Sequence, residues 1–243
     1  MCEILGITSK KPYPSNELLD SFFNHATACP DGWGLAVFRG EGVTMEKEPV
    51  SALDSAYLKN RLTRDVVANN LFAHIRKATL GRVEYANCHP FIWDDHSGRT
   101  WTMVHNGTVF RGSCLSPFLE LQEGSTDSER LLLYLLSFVN EFEETNGRPP
   151  TEEERFRIVD DLVVRLSDGN KLNLMIFDGE IMYVHSNCPD SLYIREDGEK
   201  YVLATSPVRL DGWKKMRLNQ LFSFRDGVKM REGTIHSNTF RDE

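Results

Sequence analysis

A few short segments of this 243-residue sequence carry side chains suited to attacking an amide. Cys2 stands directly behind Met1. Met1 is best removed when a small side chain follows, so removal is expected here, and it leaves a cysteine with a free α-amine. That amine, with a reference pKa of about 7.7–8.0, can act as a base. The thiol beside it, with a reference pKa near ~8.5, then becomes a nucleophile. Phe72-Ala73-His74-Ile75-Arg76-Lys77-Ala78-Thr79 delivers an arginine at the end of an apolar run. The Arg76 guanidinium can hold a carboxylate through two parallel hydrogen bonds. In Val104-His105-Asn106-Gly107-Thr108, the Asn106 amide and the Gly107 N–H can point at one developing oxyanion. Gly124-Ser125-Thr126-Asp127-Ser128-Glu129 offers Asp127 to a substrate ammonium.

Each segment also has an ordinary reading. Any residue can occupy position 2, and Arg76 can be a surface or ion-paired arginine. His74 can be a hydrogen-bonded core histidine, Asn106-Gly107 a turn, and Thr126 or Asp127 a helix cap. Asn106-Gly107-Thr108 also fits a glycosylation sequon, a weak reading without a secretory signal. In Asn87-Cys88-His89-Pro90-Phe91 the adjacent Cys88 and His89 point to opposite faces of an extended chain. That spacing predicts a buried Cys88 and a His89 that is structural or near the site. His74, Cys88, His89 and His105 do not follow the usual zinc spacings, so no metal is expected.

The elements that must position these residues read as follows. Glu3–Thr8 is a short buried strand, and Ser15 caps a helix carrying Leu18, Leu19, Phe22 and Phe23 on one face. Cys29–Gly32 is a turn. Gly34–Arg39 and Val43–Lys47 form a hairpin around Gly40-Glu41-Gly42. Leu71–Ile75 and Trp101–Val104 are apolar strands. From Asp127 the period changes, with Leu131, Leu132, Leu135, Leu136 and Val139 at helical spacing. A polar loop over Glu144–Pro150 ends that helix. Thr151 with Glu154 is a capping box for a second helix bearing Phe156, Ile158, Val159, Leu162 and Val163. Asp178-Gly179, Asp197-Gly198 and Asp226-Gly227 then separate three pairs of strands: Leu172–Phe177 from Ile181–His185, Leu192–Arg195 from Tyr201–Ala204, and Leu221–Arg225 from Val228–Arg231. Strands, two helices, then strands indicate an α+β fold with antiparallel sheets covered by helices. A domain boundary in the loop over 144–150 is disfavoured, because the later strands need apolar partners from the first half. One domain over 1–243 is expected.

Composition narrows the function classes. The chain is 40% hydrophobic and 26% charged, with 28 basic against 36 acidic residues and a net charge of −8. An acidic surface argues against broad nucleic-acid or anionic-membrane binding. The most apolar run, Leu131–Val139, is far short of the roughly 18 residues that span a bilayer. Without a signal-peptide pattern a cytoplasmic location is expected, with the five cysteines reduced.

Taken in order, Met1-Cys2, Asp31-Gly32-Trp33-Gly34, His74-x-Arg76-x-Ala78-Thr79, Asn87-x-His89-Pro90, His105-Asn106-Gly107 and Thr126-Asp127-Ser128-Glu129 resemble the class II glutamine amidotransferases, which are N-terminal nucleophile hydrolases. The match runs over residues 2 to about 130, and the length suits the stand-alone members. The resemblance implies a four-layer αββα sandwich. It also implies hydrolysis of the glutamine side-chain amide through a Cys2 thioester, with ammonia passed to a partner enzyme. Cys2, Asn106 and Gly107 would be catalytic. Arg76 with Thr79 would hold the α-carboxylate and Asp127 the α-ammonium, with His74, His89 and His105 supporting the site. No cofactor is implied. Two departures touch the substrate loop: Lys77 replaces a tryptophan, and Leu80-Gly81 replaces His-Gly. They leave open another γ-glutamyl amide as substrate. A non-catalytic regulatory subunit with the same fold is the remaining alternative.

Overall fold

A computed structural model describes residues 2–40 and 42–241, so removal of Met1 lies outside the described residues. In chain order the elements are β1 (Glu3–Pro14), α1 (Asn16–Phe23), β2 (Trp33–Arg39), β3 (Gly42–Glu48), α2 (Ala56–Leu62), β4 (Val67–Ile75), β5 (Phe91–Asp94), β6 (Thr100–Thr108), α3 (Asp127–Asn146), α4 (Glu152–Leu166), β7 (Lys171–Phe177), β8 (Met182–His185), β9 (Tyr193–Glu196), β10 (Lys200–Ala204), β11 (Lys214–Lys215), β12 (Phe222–Arg225) and β13 (Val228–Glu232). Two sheets form, ordered β11-β9-β10-β1-β4-β2-β3 and β13-β12-β8-β7-β6-β5. The paired strands run antiparallel.

Period-2 alternation explains the layering. Along β1 and β4, Leu5, Ile7, Leu71, Ala73 and Ile75 face outward and pack with Leu18, Leu19, Phe22 and Phe23 of α1 and Leu58 of α2. On the other sheet, Trp101, Met103, Leu174 and Ile176 pack against Leu131, Leu132, Leu135 and Val139 of α3 and Val159 and Val163 of α4. Ile4, Phe72, Val104, Met175 and Phe177 fill the space between the sheets. The order helix, sheet, sheet, helix is the expected α+β αββα sandwich. The alternation also sorts the candidate residues. Cys2 precedes Ile4 by two positions and His74 and Arg76 follow Phe72 by two and four, so all three belong to the inter-sheet face. Asn106 follows Val104 and belongs there too, on the facing sheet.

Several local readings change. Ser15 occupies the N-cap position of α1, but its backbone is already in the right-handed helical region and its hydroxyl donates to the Tyr13 carbonyl, so it does not cap. β1 continues past Thr8 to Pro14: after a register shift between Thr8 and Tyr13, Tyr13 and Pro14 pair again with Ala68 and Val67 of β4. Asn106-Gly107 is not a turn: β6 runs on through it, with Asn106 opposite Asn173 and Gly107 opposite Leu172. β5 and α2 are absent from the sequence reading. The two long helices are capped as expected: the Thr126 hydroxyl accepts from the Glu129 N–H, and Thr151 with Glu154 forms a capping box.

Candidate active site

The site lies where β1 begins and β4 ends. The half-buried Cys2 thiol sits against the chain just after β4: the Lys77 N–H donates to Sγ at 3.3 Å, and Sγ is also 3.3 Å from the Lys77 carbonyl. Burial pushes the thiol pKa above its ordinary value, while the Lys77 hydrogen bond and the Arg76 charge pull it back. A thiol held this way stays protonated near neutrality unless a base takes its proton.

The segment around Lys77 is clamped by the turn that precedes β2. The Arg76 N–H donates to the Gly32 carbonyl at 2.7 Å and the Asp31 N–H to the Arg76 carbonyl at 2.9 Å. The Asp31 carboxylate accepts the Ala78 N–H at 2.8 Å. Gly32 has φ +151°, and a Cβ there would come within 2.7 Å of Cys88 Sγ.

Arg76 is buried, at 3% exposure. Its Nη2 donates to the Leu80 carbonyl at 3.0 Å, and its Nη1 is buried with no hydrogen-bond partner. A buried guanidinium with an unused donor is costly to leave so, and a carboxylate answers that need. Thr79 is exposed and its hydroxyl bonds to no described residue, so it stands apart from this group.

Across the inter-sheet space, Asn106 is buried and its side-chain amide bonds to no described residue. Gly107 has no room for a side chain, since a Cβ would overlap the Lys171 carbonyl and crowd His105 Nε2. Asp127 opens α3 and is buried. One carboxylate oxygen accepts the Val109 N–H at 2.7 Å, and the other is 3.5 Å from the Ser128 hydroxyl.

The histidines divide in two. His105 lies on the face of β6 opposite to Asn106 and points toward α3. Its Nε2 reaches the Lys171 carbonyl and its Nδ1 the Ser128 hydroxyl, each at 3.0 Å. A carbonyl only accepts, so the neutral ring carries its proton on Nε2 and takes the Ser128 hydrogen at Nδ1. His74 and His89 pair behind Arg76 with ring centroids 4.1 Å apart. All four of their ring nitrogens are buried without partners. Burial holds His74 down to about 3 and His89 well below the usual imidazole range, so both stay neutral. The His89 carbonyl lies over Gly34, where a Cβ would overlap it. Cys88 is fully buried and its thiol is pushed up to about 11 by burial. Among the described residues no group of three or more His, Cys, Asp or Glu is placed to hold a metal ion, and no helix is long and apolar enough to cross a membrane.

Sequence reasoning missed the groups that lack side-chain identity: the Lys77 N–H at the thiol, the Leu80 carbonyl on Arg76 and the Val109 N–H on Asp127. It also missed Thr205, whose hydroxyl accepts the Ile4 N–H at 3.1 Å beside the start of β1. The run Ala204-Thr205-Ser206-Pro207 was its only signal.

Residues 1–197 match the family model for glutamine amidotransferases class-II. A Haemophilus influenzae protein named "Putative glutamine amidotransferase" is 28% identical over 259 residues, spanning 96% of this chain and 87% of that protein. The structure of glutamine phosphoribosylpyrophosphate amidotransferase from B. subtilis, complexed with ADP and GMP, aligns with a TM-score of 0.69 at 18% identity, over 98% of this chain and 50% of its own. A glutamine aminotransferase class-II domain protein from Silicibacter pomeroyi aligns with a TM-score of 0.64 at 18% identity, over 97% of this chain and all of its own. At these identities the two structures show a shared fold.

Proposed function

Since this chain belongs to the class II glutamine amidotransferases, we propose that it hydrolyses the side-chain amide of free glutamine through Cys2. The observation that carries this reading is the buried Arg76 with its unpartnered Nη1 beside the Cys2 thiol. Arg76 takes the α-carboxylate and Asp127 the α-ammonium, so one fixed cation and one fixed anion select a free amino acid. Once Met1 is gone, the Cys2 amine accepts the thiol proton. Sγ then bonds to the glutamine amide carbon, and the oxyanion is met by the Asn106 side-chain amide and the Gly107 N–H. The carbon–nitrogen bond breaks as the amine returns its proton to the leaving nitrogen, releasing ammonia and leaving a glutamyl thioester. Water attacks the thioester, and glutamate leaves as the thiol re-forms. Ammonia goes to a separate acceptor enzyme.

The described chain works as one unit in this reading, because β1, which follows the nucleophile, lies between β4 and the late strand β10. A second reading takes another γ-glutamyl amide as substrate. It is favoured by the substrate loop, where Lys77, Thr79 and Leu80 are exposed.

Glutamate release from glutamine by wild type and Cys2→Ala, with intact mass to identify the mature N-terminus, tests the proposal. Wild type should turn over and the variant should not. Equal rates in a protein whose mature N-terminus is Cys2 would overturn the mechanism. A substrate panel that places a different γ-glutamyl amide far above glutamine would select the second reading.

A further inference from the structure

The two groups assigned to the amino-acid end of the substrate sit on separate segments. Arg76 follows β4, braced by the Leu80 carbonyl of the loop after it. Asp127 sits in the first turn of α3. The α-carboxylate and α-ammonium share one carbon, so a receptor for both must hold its cation and anion at one fixed separation. Misplacement by about 1 Å is enough to lose on the order of 10²-fold in such an arrangement. Neither segment fixes the other through its own backbone ladder.

The side chain of Asn87 joins them. It is fully buried. On the Arg76 side, Nδ2 lies 3.0 Å from the Arg82 carbonyl and 2.9 Å from the Glu84 carboxylate. On the Asp127 side, the Ser125 N–H donates to Oδ1 at 2.7 Å, and Nδ2 reaches the Ser125 hydroxyl at 3.0 Å. Ser125 stands next to the N-cap Thr126, two residues before Asp127. Glycines let the two loops close on this amide. A Cβ on Gly81, which has φ +77°, would lie 2.8 Å from Nδ2, and one on Gly124 would overlap Oδ1 and come within 2.9 Å of the Ala86 carbonyl. The buried Glu129 carboxylate accepts the Glu123 and Gly124 N–H groups at 2.8 Å each, tying that loop to α3 itself. The links therefore run without slack from the Leu80 loop, through Asn87, to the helix turn that carries Asp127.

We propose that Asn87 is a positioning residue for recognition of the α-amino acid group, setting the separation between the Arg76 and Asp127 receptors by latching the substrate loop to the start of α3. This rests on the glutamine reading above. The latch touches neither Cys2 nor the oxyanion donors, so it acts on substrate binding and discrimination rather than on thiol chemistry.

The test compares wild type, Asn87→Ala and Gly124→Ala with two substrates: glutamine, and glutaramate, which keeps the amide and the carboxylate but lacks the α-ammonium. Gly124→Ala wedges the latch open without removing the asparagine, so the test survives if Asn87→Ala fails to fold. In either variant, KM for glutamine should rise about 10- to 100-fold with kcat little changed. The advantage of glutamine over glutaramate should shrink by about the same factor, and Cys2 alkylation by iodoacetamide should keep its wild-type rate. Unchanged KM and discrimination would overturn the latch, as would equal loss on both substrates. If wild type itself releases no glutamate from glutamine, the glutamine reading fails and the latch falls with it. If wild type is active and the variants discriminate as it does, only the latch fails.

Discussion

At Arg76 two demands meet that a single side chain rarely carries. The guanidinium is buried, yet one of its nitrogens has no partner, while another is spent on the Leu80 carbonyl of its own loop. Removing it should therefore weaken glutamine recognition by about 2–5 kcal/mol, the usual range for one member of a desolvated charge pair. That is roughly a 30- to 5,000-fold loss in kcat/KM, carried mostly by KM. Arg76→Lys should not restore it, because an ammonium cannot hold the Leu80 carbonyl and a carboxylate in one plane. Steady-state kinetics of both variants check this, and a lysine variant with wild-type KM would remove Arg76 from the clamp. Gly107→Ala should be lost at the folding stage or in kcat, since its methyl would overlap the Lys171 carbonyl. Soluble yield and glutaminase rate read that outcome. Cys2, Arg76, Asn106 and Asp127 were legible in the sequence because their candidate chemistry resides in side chains at motif spacing. The Lys77 and Val109 N–H groups were not, because every residue has one and only the fold decides where it points.

Elements were legible where local signals and packing agree. α3 shows helical spacing of leucines and stops at Gly147, which has φ +67°. The three Asp-Gly hairpins emerge at the expected places, β7–β8, β9–β10 and β12–β13. α2 was not legible, because Leu58 is its one buried residue and a single apolar position makes no period. Asn106-Gly107 read as a turn because that dipeptide favours one, but pairing with β7 overrides the preference. The two helix caps now separate stability from function. Thr151→Ala removes the capping box of α4 and should lower unfolding free energy by about 1 kcal/mol while leaving KM for glutamine unchanged. Thr126→Ala removes the cap of the helix that starts at Asp127, so it should lower stability by a similar amount and also raise KM. Urea melts and kinetics on the same preparations test the contrast. An unchanged KM in Thr126→Ala would detach Asp127 from substrate binding.

Across the whole molecule, the sandwich closes over imidazoles that it keeps neutral. His74 and His89 lie between the sheets, His105 lies under α3, and His185 ends β8 with its Nδ1 on the Leu172 carbonyl. Burial holds His74 and His185 down to about 3, and lowers His89 and His105 as well. An unfolded chain takes up these protons near the ordinary histidine pKa of about 6.5. The folded state therefore binds fewer protons wherever pH lies below that value and above the folded pKa. For His74 and His185 stability is fully present above about pH 6.5 and is lost as pH falls toward 3, at about 1.4 kcal/mol per unit for each of the two. Between pH 6.5 and 5 this amounts to about 2 kcal/mol per group. That window lies above the ordinary carboxylate range, so the loss there belongs to the histidines rather than to Asp and Glu. Urea unfolding at pH 7.5, 6 and 5 should show the midpoint falling steeply below 6.5. His74→Leu, which gives up no hydrogen bond because both ring nitrogens lack partners, should flatten that slope by one proton's worth. A midpoint that stays level from pH 7.5 to 5 would mean the rings are protonated in the folded protein.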